Sequence, residues 1–387
     1  MLTVLRRELR LLLRDPYRML IVMIVPLFYM AFYGTVFYTS GVERIAVGVL
    51  NQDGGALSRK LVNMLHGDPV LEVNAYTDAD ALRADLERRR ITAGVVIPSG
   101  WEATLKTREQ ARLRIDINTV NFLLANEATK HLQTVCETMN AGLGITSLQA
   151  AGIPRTAALK RVQPIVAPLI SAGNPSYGYG QFVTFGILII IIHQLLLISL
   201  AQSVAAEREF GATGEWARAA RGRLPVMLAG KAAPYVALFV VYFFFEMAVA
   251  LRAFHLKQLG SLAAMMLYGL PMLLTLSGMA LVFGSQLRSR AQALQVLGIT
   301  SVPFLLICGF LWPWQQLPLF FKALSLVLPT YPLAIGAQSV TQLGSSFGEQ
   351  LPWFLIGCGQ AVVWLGVAFW RWRVVLRSMA NDATNRP

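Results

Sequence analysis

Apolar and polar stretches follow one another along this chain in a one-plus-five layout. One apolar run, 19–38, precedes a long polar stretch, 40–174, and five more apolar runs follow at 182–201, 232–251, 262–283, 293–312 and 353–370. Each is close to the length that crosses a bilayer as an α-helix, about 20 residues. The polar stretch has a different period. Residues 45–51, 70–76, 91–98 and 112–118 read as strands, the last with Leu113, Ile115 and Ile117 alternating. Residues 54–66, 78–89, 99–107 and 122–142 read as helices, with Ser99 and Glu102 forming a capping box. Strands interleaved with helices in this way predict a small α/β domain. The Pro- and Gly-rich 152–175 reads as the return to the membrane. The expected fold is a mainly α membrane protein, six transmembrane helices with an inserted α/β domain.

Two flanking segments have their own patterns. Residues 1–18 read as an amphipathic helix, with Arg6, Arg10 and Arg14 on one stripe and Leu5, Leu9 and Leu12 opposite, stopped by Asp15-Pro16. Such a basic helix lies along the inner membrane surface, as a topology anchor or as a lever between the first span and a partner. Residues 313–342 are apolar but broken by Pro313, Pro318, Pro329 and Pro332. Non-helical backbone at membrane depth must be covered by protein or line a wet cavity, so this segment reads as re-entrant, with a surface-lying helix as the alternative.

Composition supports the membrane reading: mean hydropathy is +0.52 and charged residues are 14%, against about a quarter in soluble domains. The net charge of +13 raises the question of nucleic acid, and the placement of the charges answers it. Sixteen Lys/Arg, among them Arg7, Arg18, Arg208, Arg218, Lys231, Arg290 and Arg371, fall in the ends and loops that alternate to one side. Only Arg252, Lys257 and Lys322 fall in the short loops opposite. By the positive-inside rule both termini are cytoplasmic and the insert, bounded at 39–178, is extracytoplasmic. The insert is nearly charge-balanced, with fifteen basic and thirteen acidic residues in 40–174. The basic excess is a topology signal, so nucleic acid is not an expected partner. Run 19–38 is too long for a signal-peptide core and lacks a small-residue cleavage pattern, so it reads as a retained anchor.

Signals of enzyme chemistry are missing from the sequence. The four histidines pair with no Cys or carboxylate at metal-ligand spacing, and Cys136, Cys308 and Cys358 form no disulfide framework. No nucleotide-binding pattern of the P-loop type occurs, since Gly230-Lys231 is followed by Ala232. Any ATP and Mg would sit on another chain, and no cofactor or metal is expected on this one.

Three places carry candidate function. The loop 205–230 contains Glu207, Arg208, Glu209, Phe210, Gly211, Thr213, Gly214, Glu215 and Trp216. A short helix here would present Glu207, Glu209, Glu215 and Trp216 to a soluble partner; the alternative is a solvated loop with an interfacial Trp. Glu246, after Phe243-Phe244-Phe245, is the one acidic residue inside an apolar run. It reads either as a substrate-path or ion-coupling group or as a structural hydrogen-bonding group. His193-Gln194 has the same ambiguity, with helix–helix hydrogen bonding favoured.

Four stretches together resemble the permease subunits of type-2 ABC exporters that carry a large extracytoplasmic insert. They are Arg7-Glu8-Leu9-Arg10 through Arg14-Asp15-Pro16 and Pro26; Val47-Gly48-Val49-Leu50-Asn51 with Ala93-Gly94-Val95-Val96-Ile97-Pro98; Glu207-Arg208-Glu209 with its following Gly and Thr; and Gly309-Phe310 through Pro313, Pro318 and Pro329-Thr330-Tyr331-Pro332. The resemblance covers nearly the whole chain. It implies that 207–216 includes a coupling helix docking on a cytoplasmic ATPase subunit, and that the N-terminal helix with Arg6, Arg7, Arg10 and Arg14 packs beside that ATPase. It further implies that Gly309, Pro313, Pro318, Pro329, Tyr331 and Pro332 belong to an outer gate. The spacing Gly211-Ala212-Thr213-Gly214-Glu215 departs from the family's compact form by one residue, which leaves the start of the coupling helix open. The implied assembly is a dimer with a second copy or paralogue in the bacterial inner membrane, among its lipids. It would export an amphiphile such as a drug or lipid, with a periplasmic adaptor as a further partner. A membrane-anchored scaffold and a proton-coupled carrier using Glu246 are the alternatives; no internal repeat favours the carrier.

Overall fold

Local signals set the elements, and pairing across the chain sets their arrangement. The computed structural model describes residues 1–36, 44–107, 109–163, 179–253 and 258–384. Two units separate: Gly41–Ile170, and Met1–Ser40 together with Ser171–Pro387.

The first of these is a four-stranded sheet with helices on both faces. Strands β1 (Ile45–Asn51), β2 (Leu71–Tyr76), β3 (Ala93–Ile97) and β4 (Arg114–Ile117) lie in the order β2-β1-β3-β4. β1 runs parallel to β2 and β3, with Val47 opposite Val73 and Ala93; β4 is antiparallel, with Ile115 opposite Val95. Ile45, Val47, Val49, Val95 and Ile97 bury one face against Leu61 and Leu65 of helix Ala56–His66 and Leu132 and Met139 of helix Phe122–Ala150. Leu50 and Ile91 meet Leu82 of helix Ala79–Glu87 on the other face. A parallel sheet covered on both sides is why β1 and β3 read as continuous apolar runs.

Two details differ from expectation. Ser99 is not a cap. Gly100, at φ +78°, precedes helix Trp101–Lys106 without a side-chain bond. The caps are exchanged between neighbours instead: Asp53 accepts from the Glu102 N–H at 3.2 Å, and Glu102 accepts from the Leu57 N–H at 2.9 Å. Each carboxylate satisfies an orphan donor of the other's helix. Within the anticipated return segment, residues Arg155–Val162 contain neither Pro nor Gly and form a helix, packed on Gly144. Residues 164–178 lie outside the described residues.

Asp68 pins this unit's long helix. Its carboxylate accepts from the Val70 and Leu71 amides at 2.9 and 3.2 Å and meets His131 Nδ1 at 2.9 Å. Partial burial pushes its pKa up, but the His131 contact and the amides outweigh that and leave it below the usual range. A depressed carboxyl stabilises above its unfolded pKa of about 3.9 and loses that contribution as pH falls through its lower folded value. Asp68→Ala is therefore expected to speed hydrogen exchange of the Val70 and Leu71 amides at neutral pH, whereas the unsubstituted protein shows that loss only below pH ~4. Equal exchange in the two proteins at neutral pH would disprove the pinning role.

Among the described residues the second unit holds six helices long and apolar enough to cross a membrane, Pro16–Val36, Val183–Glu209, Leu224–Val249, Leu262–Gly284, Arg290–Ile307 and Leu351–Asn381, or seven if the bent pair below is one span. The second and fourth are the most buried. The first, fifth and sixth expose Ile24, Phe28, Ile299, Val302 and Val362. The bounds differ from the sequence reading at several ends. Helix Leu2–Arg14 stops where Asp15 leaves helical backbone, and Asp15 then caps the first span by accepting from the Tyr17 and Arg18 amides. The fifth span is not one run to residue 312. It breaks at Thr300 into Arg290–Ile299 and Ser301–Ile307, three residues before Pro303, whose ring cannot continue an α-helix. The sixth helix continues through Thr384 into what reads as a tail.

Between the fifth and sixth spans, helix Leu319–Val327 and the helix through Tyr331–Leu343 meet at 78°. The bend frees backbone carbonyls, and the sixth span supplies their donors. Gln360 Nε2 donates to the Leu328 carbonyl at 3.0 Å and to that of Leu326, and Trp364 Nε1 donates to Val327 at 3.1 Å. This is the internal satisfaction that an apolar medium demands of broken helices.

Candidate functional site

The N-terminal helix turns a stripe of Val4, Glu8 and Leu12 inward, spaced one turn apart. This corrects the leucine stripe: Leu9 is exposed, and a carboxylate takes the centre of the buried face. Arg6, Arg10 and Arg14 are exposed, while Arg7 is half-buried.

Four charges from three elements meet there. Lys231 Nζ lies 2.8 Å from Glu8 and 2.6 Å from Glu207. Arg7 grips Glu207 with both guanidinium nitrogens, at 2.6 and 2.8 Å. Tyr235 donates to Glu8 at 3.1 Å and Ser203 donates to the same oxygen. Lys231 also stands 5.0 Å over the Trp216 ring. Two cations face two anions, and each of the four carboxylate oxygens has a donor. That is the condition under which buried charge is tolerated.

Two sequence readings change here. Glu207 and Trp216 are not offered to a partner; both are buried. Trp216 packs edge-on against Trp372, centroids 4.8 Å apart, and donates to the Met227 carbonyl at 3.2 Å. Lys231 is not a loop residue, because the third span begins at Leu224. A lysine in an apolar helix survives only with counter-charges, and those come from residues distant in sequence.

The loop itself is short, since the second span's helix runs to Glu209. Helix Thr213–Ala219 follows. Thr213 donates to the Glu207 carbonyl and closes the turn. Arg208, Phe210, Gly211, Glu215 and Arg218 are exposed, and Gly214 is half-buried. Glu209 meets the Arg290 backbone N–H at 2.8 Å, and Asp15 meets the Arg290 guanidinium at 2.9 Å. Arg290 also covers the Phe210 ring at 4.9 Å. An open cavity of about 580 Å³ separates the N-terminal helix from this loop, lined by Arg7, Arg14, Asp15, Glu207, Glu215 and Arg290. The N-terminal helix and the ends of the second, third and fifth spans are thus tied by charge, and the short helix is held to them by the Thr213 and Trp216 hydrogen bonds and the Lys231–Trp216 contact.

The intramembrane candidates separate from one another. Gln194 crosses to the fifth span, donating to the Leu297 carbonyl beside the break at Thr300. His193 is buried against Phe304 at 5.0 Å, and neither ring nitrogen has a partner among the described residues; the expected hydrogen bond is Gln194's alone. Gln194 lines an apolar groove of about 590 Å³ between the first, second and fifth spans, with Tyr17, Tyr29 and Tyr33 on one wall. Glu246 is elsewhere, in the π-helical turn Glu246–Ala250 of the third span, fully buried and without a hydrogen-bond partner among the described residues.

The proline-rich candidates do converge in part. Gly309, at φ +85°, turns the chain against the Tyr331 ring, which stacks on Trp314 at 5.0 Å and meets Trp353 edge-on. Pro318 precedes helix Leu319–Val327 and Pro329 stands at the 78° bend. Pro332 is buried, and Pro313 is exposed.

Glu8, Lys231, Tyr235, Asp15 and Arg290 were missed as site residues. One signal was available: Lys231 and Tyr235 sit one turn apart on an otherwise apolar helix, as Val4, Glu8 and Leu12 do on theirs.

Residues 17–370 match the family described as ABC-2 family transporter protein. Two curated relatives are similar over most of their length. One is the probable multidrug ABC transporter permease YbhR of Escherichia coli K12, 23% identical over 334 residues, covering 84% of this chain and 85% of the relative. The other is the probable multidrug ABC transporter permease YbhS of the same organism, 22% identical over 350 residues, covering 88% and 87%.

Proposed function

Because this chain belongs to the ABC-2 transporter family, we propose that it is the membrane-spanning permease of an ATP-driven exporter, working as a dimer with two cytoplasmic ATPase subunits that hold the ATP and Mg. The observation that carries this reading is the buried Arg7–Glu207–Lys231–Glu8 cluster. It locks the N-terminal helix to the second and third spans, and the Thr213–Ala219 helix is held beside it by Lys231 over the Trp216 ring and by the Trp216 and Thr213 hydrogen bonds, so a push on the short helix moves the spans instead of bending a loop. The face left exposed, Arg208, Phe210, Glu215 and Arg218, offers both charge signs and an aromatic ring to the ATPase.

Charge placement supports cytoplasmic termini in a bacterial inner membrane and an α/β domain outside it. There the domain would guide release or dock an adaptor. The groove beside Gln194, apolar with a tyrosine wall, supports an amphiphilic substrate, and the two relatives are named as probable multidrug ABC transporter permeases.

The test is reversal of the exposed charges. Glu215→Lys with Arg218→Glu is expected to cut co-purification of the ATPase and dye export by about tenfold or more, with membrane insertion and monodispersity kept. Export at the unsubstituted rate would overturn the coupling assignment. Failure of any Walker-motif ATPase to co-purify with the unsubstituted chain would favour the scaffold reading.

A further inference from the structure

Glu246 differs from the other deeply buried carboxylates of this unit. Glu8 and Glu207 each have a cation within 2.8 Å. Glu246 is as buried, yet both its oxygens lack a partner among the described residues. It opens a π-helical turn, Glu246–Ala250, in a helix otherwise α from Leu224 to Phe245. Such single turns recur at functional sites. The turn touches the first span's helix Val25–Val36 and the fourth span's helix Leu262–Gly284.

The side chains one and two turns earlier on the same helix are aromatic. Tyr242 donates to the Met23 carbonyl at 3.1 Å, and Met23 lies in the first span's own π-helical turn, Leu20–Ile24. Phe243 packs on Gly269 of the fourth span, and Phe239 meets Tyr242 edge-on at 5.6 Å. An acceptor without a donor among the described residues thus stands one turn from Tyr242 and Phe243, on a turn that touches two other spans. A carboxylate in an apolar medium attracts a cation, and aromatic faces attract the same charge.

We propose that Glu246 binds the positively charged head of an amphiphilic substrate, and that the substrate class is the lipophilic aromatic cation. This rests on the exporter reading but is tested apart from it, because binding needs no ATPase. The probe is tetraphenylphosphonium, with uncharged Nile red as comparator, titrated against the purified full chain in detergent. The expected result is that Glu246→Gln weakens tetraphenylphosphonium binding by about tenfold or more, Glu246→Asp retains most of it, and Nile red binding stays unchanged. Equal binding of the cation by the unsubstituted chain and Glu246→Gln, or no binding by the unsubstituted chain, overturns the proposal.

A second measurement needs no variant. Dicyclohexylcarbodiimide, an apolar carboxyl reagent, is expected to label Glu246 in the unsubstituted protein, read by peptide mass, and tetraphenylphosphonium is expected to slow the labelling. Labelling at an unaltered rate points to a proton site and overturns the cation assignment, as does the absence of labelling.

Discussion

Lys231→Met is expected to destabilise the folded permease by about 3–5 kcal/mol, the range seen when one partner of a buried charge pair is removed. Lys231 is fully buried and serves two carboxylates, at 2.8 and 2.6 Å. Without it Glu207 keeps Arg7, but among the described residues Glu8 keeps only the Tyr235 and Ser203 hydroxyls as hydrogen-bond donors. An anion enclosed with neutral donors is the costly product, more than the lost attraction itself. Lys231→Met with Glu8→Gln removes one charge of each sign, and should recover most of the loss. The readout is the apparent Tm of detergent-solubilised protein by fluorescence-detected chromatography. A single variant as stable as the unsubstituted chain, or a double variant no better than the single, refutes the account. The double variant separates stability from coupling: it is expected to fold yet export poorly, because the N-terminal helix is then held by packing and the Arg7–Glu207 pair alone.

Gly278→Val should loosen the fourth span from the sixth, at a cost of about 1–3 kcal/mol or more. A Cβ at Gly278 would lie 2.7 Å from the Trp364 carbonyl carbon and 2.8 Å from the Leu365 nitrogen, well inside the optimum separation of about 3.5 Å or more. Those atoms are backbone and cannot swing aside, so the helices must part. Small residues at such crossings are how membrane helices gain contact, since lipid supplies no hydrophobic drive between them. The neighbouring side chains raise the cost, because Trp364 and Gln360 hold the carbonyls freed at the bend near Pro329. Parting the helices withdraws both donors. Proteolysis of the 328–344 region in proteoliposomes is the measurement: faster cleavage in Gly278→Val is the expected outcome, and an unchanged pattern would argue that the bend is held by other means.

Much of the architecture was legible because its signals are local. An apolar run of membrane length needs no partner to be recognised, and the arginines at alternate ends argue for a sidedness by the same local logic. The strands and helices of the α/β domain followed from their periods, and the sheet order then came from pairing. Asp15-Pro16 was readable as a stop, because a proline forbids the preceding helix to continue.

The candidate site was legible only in outline. Position 207 and its neighbours stood out by composition, but their orientation did not. Glu207 and Trp216, charged and aromatic in a short loop, have the character of residues shown to a partner. The structure turns both inward, because Arg7 and Lys231 neutralise one and Trp372 covers the other. Lys231 read as the edge of a span, since a lone lysine in hydrocarbon is costly. Its counter-charge Glu8 is 223 residues away, and no local pattern announces a pair at that distance. The sequence by itself determined the spans, the inserted domain and the face that carries the arginines, all properties of neighbouring residues. Tertiary structure alone decided which charges are buried, which loop residues stay exposed, and that Glu246 stands, among the described residues, without the partner that the other deeply buried carboxylates have. Those are outcomes of which elements meet, and burial prices a charge by what it meets.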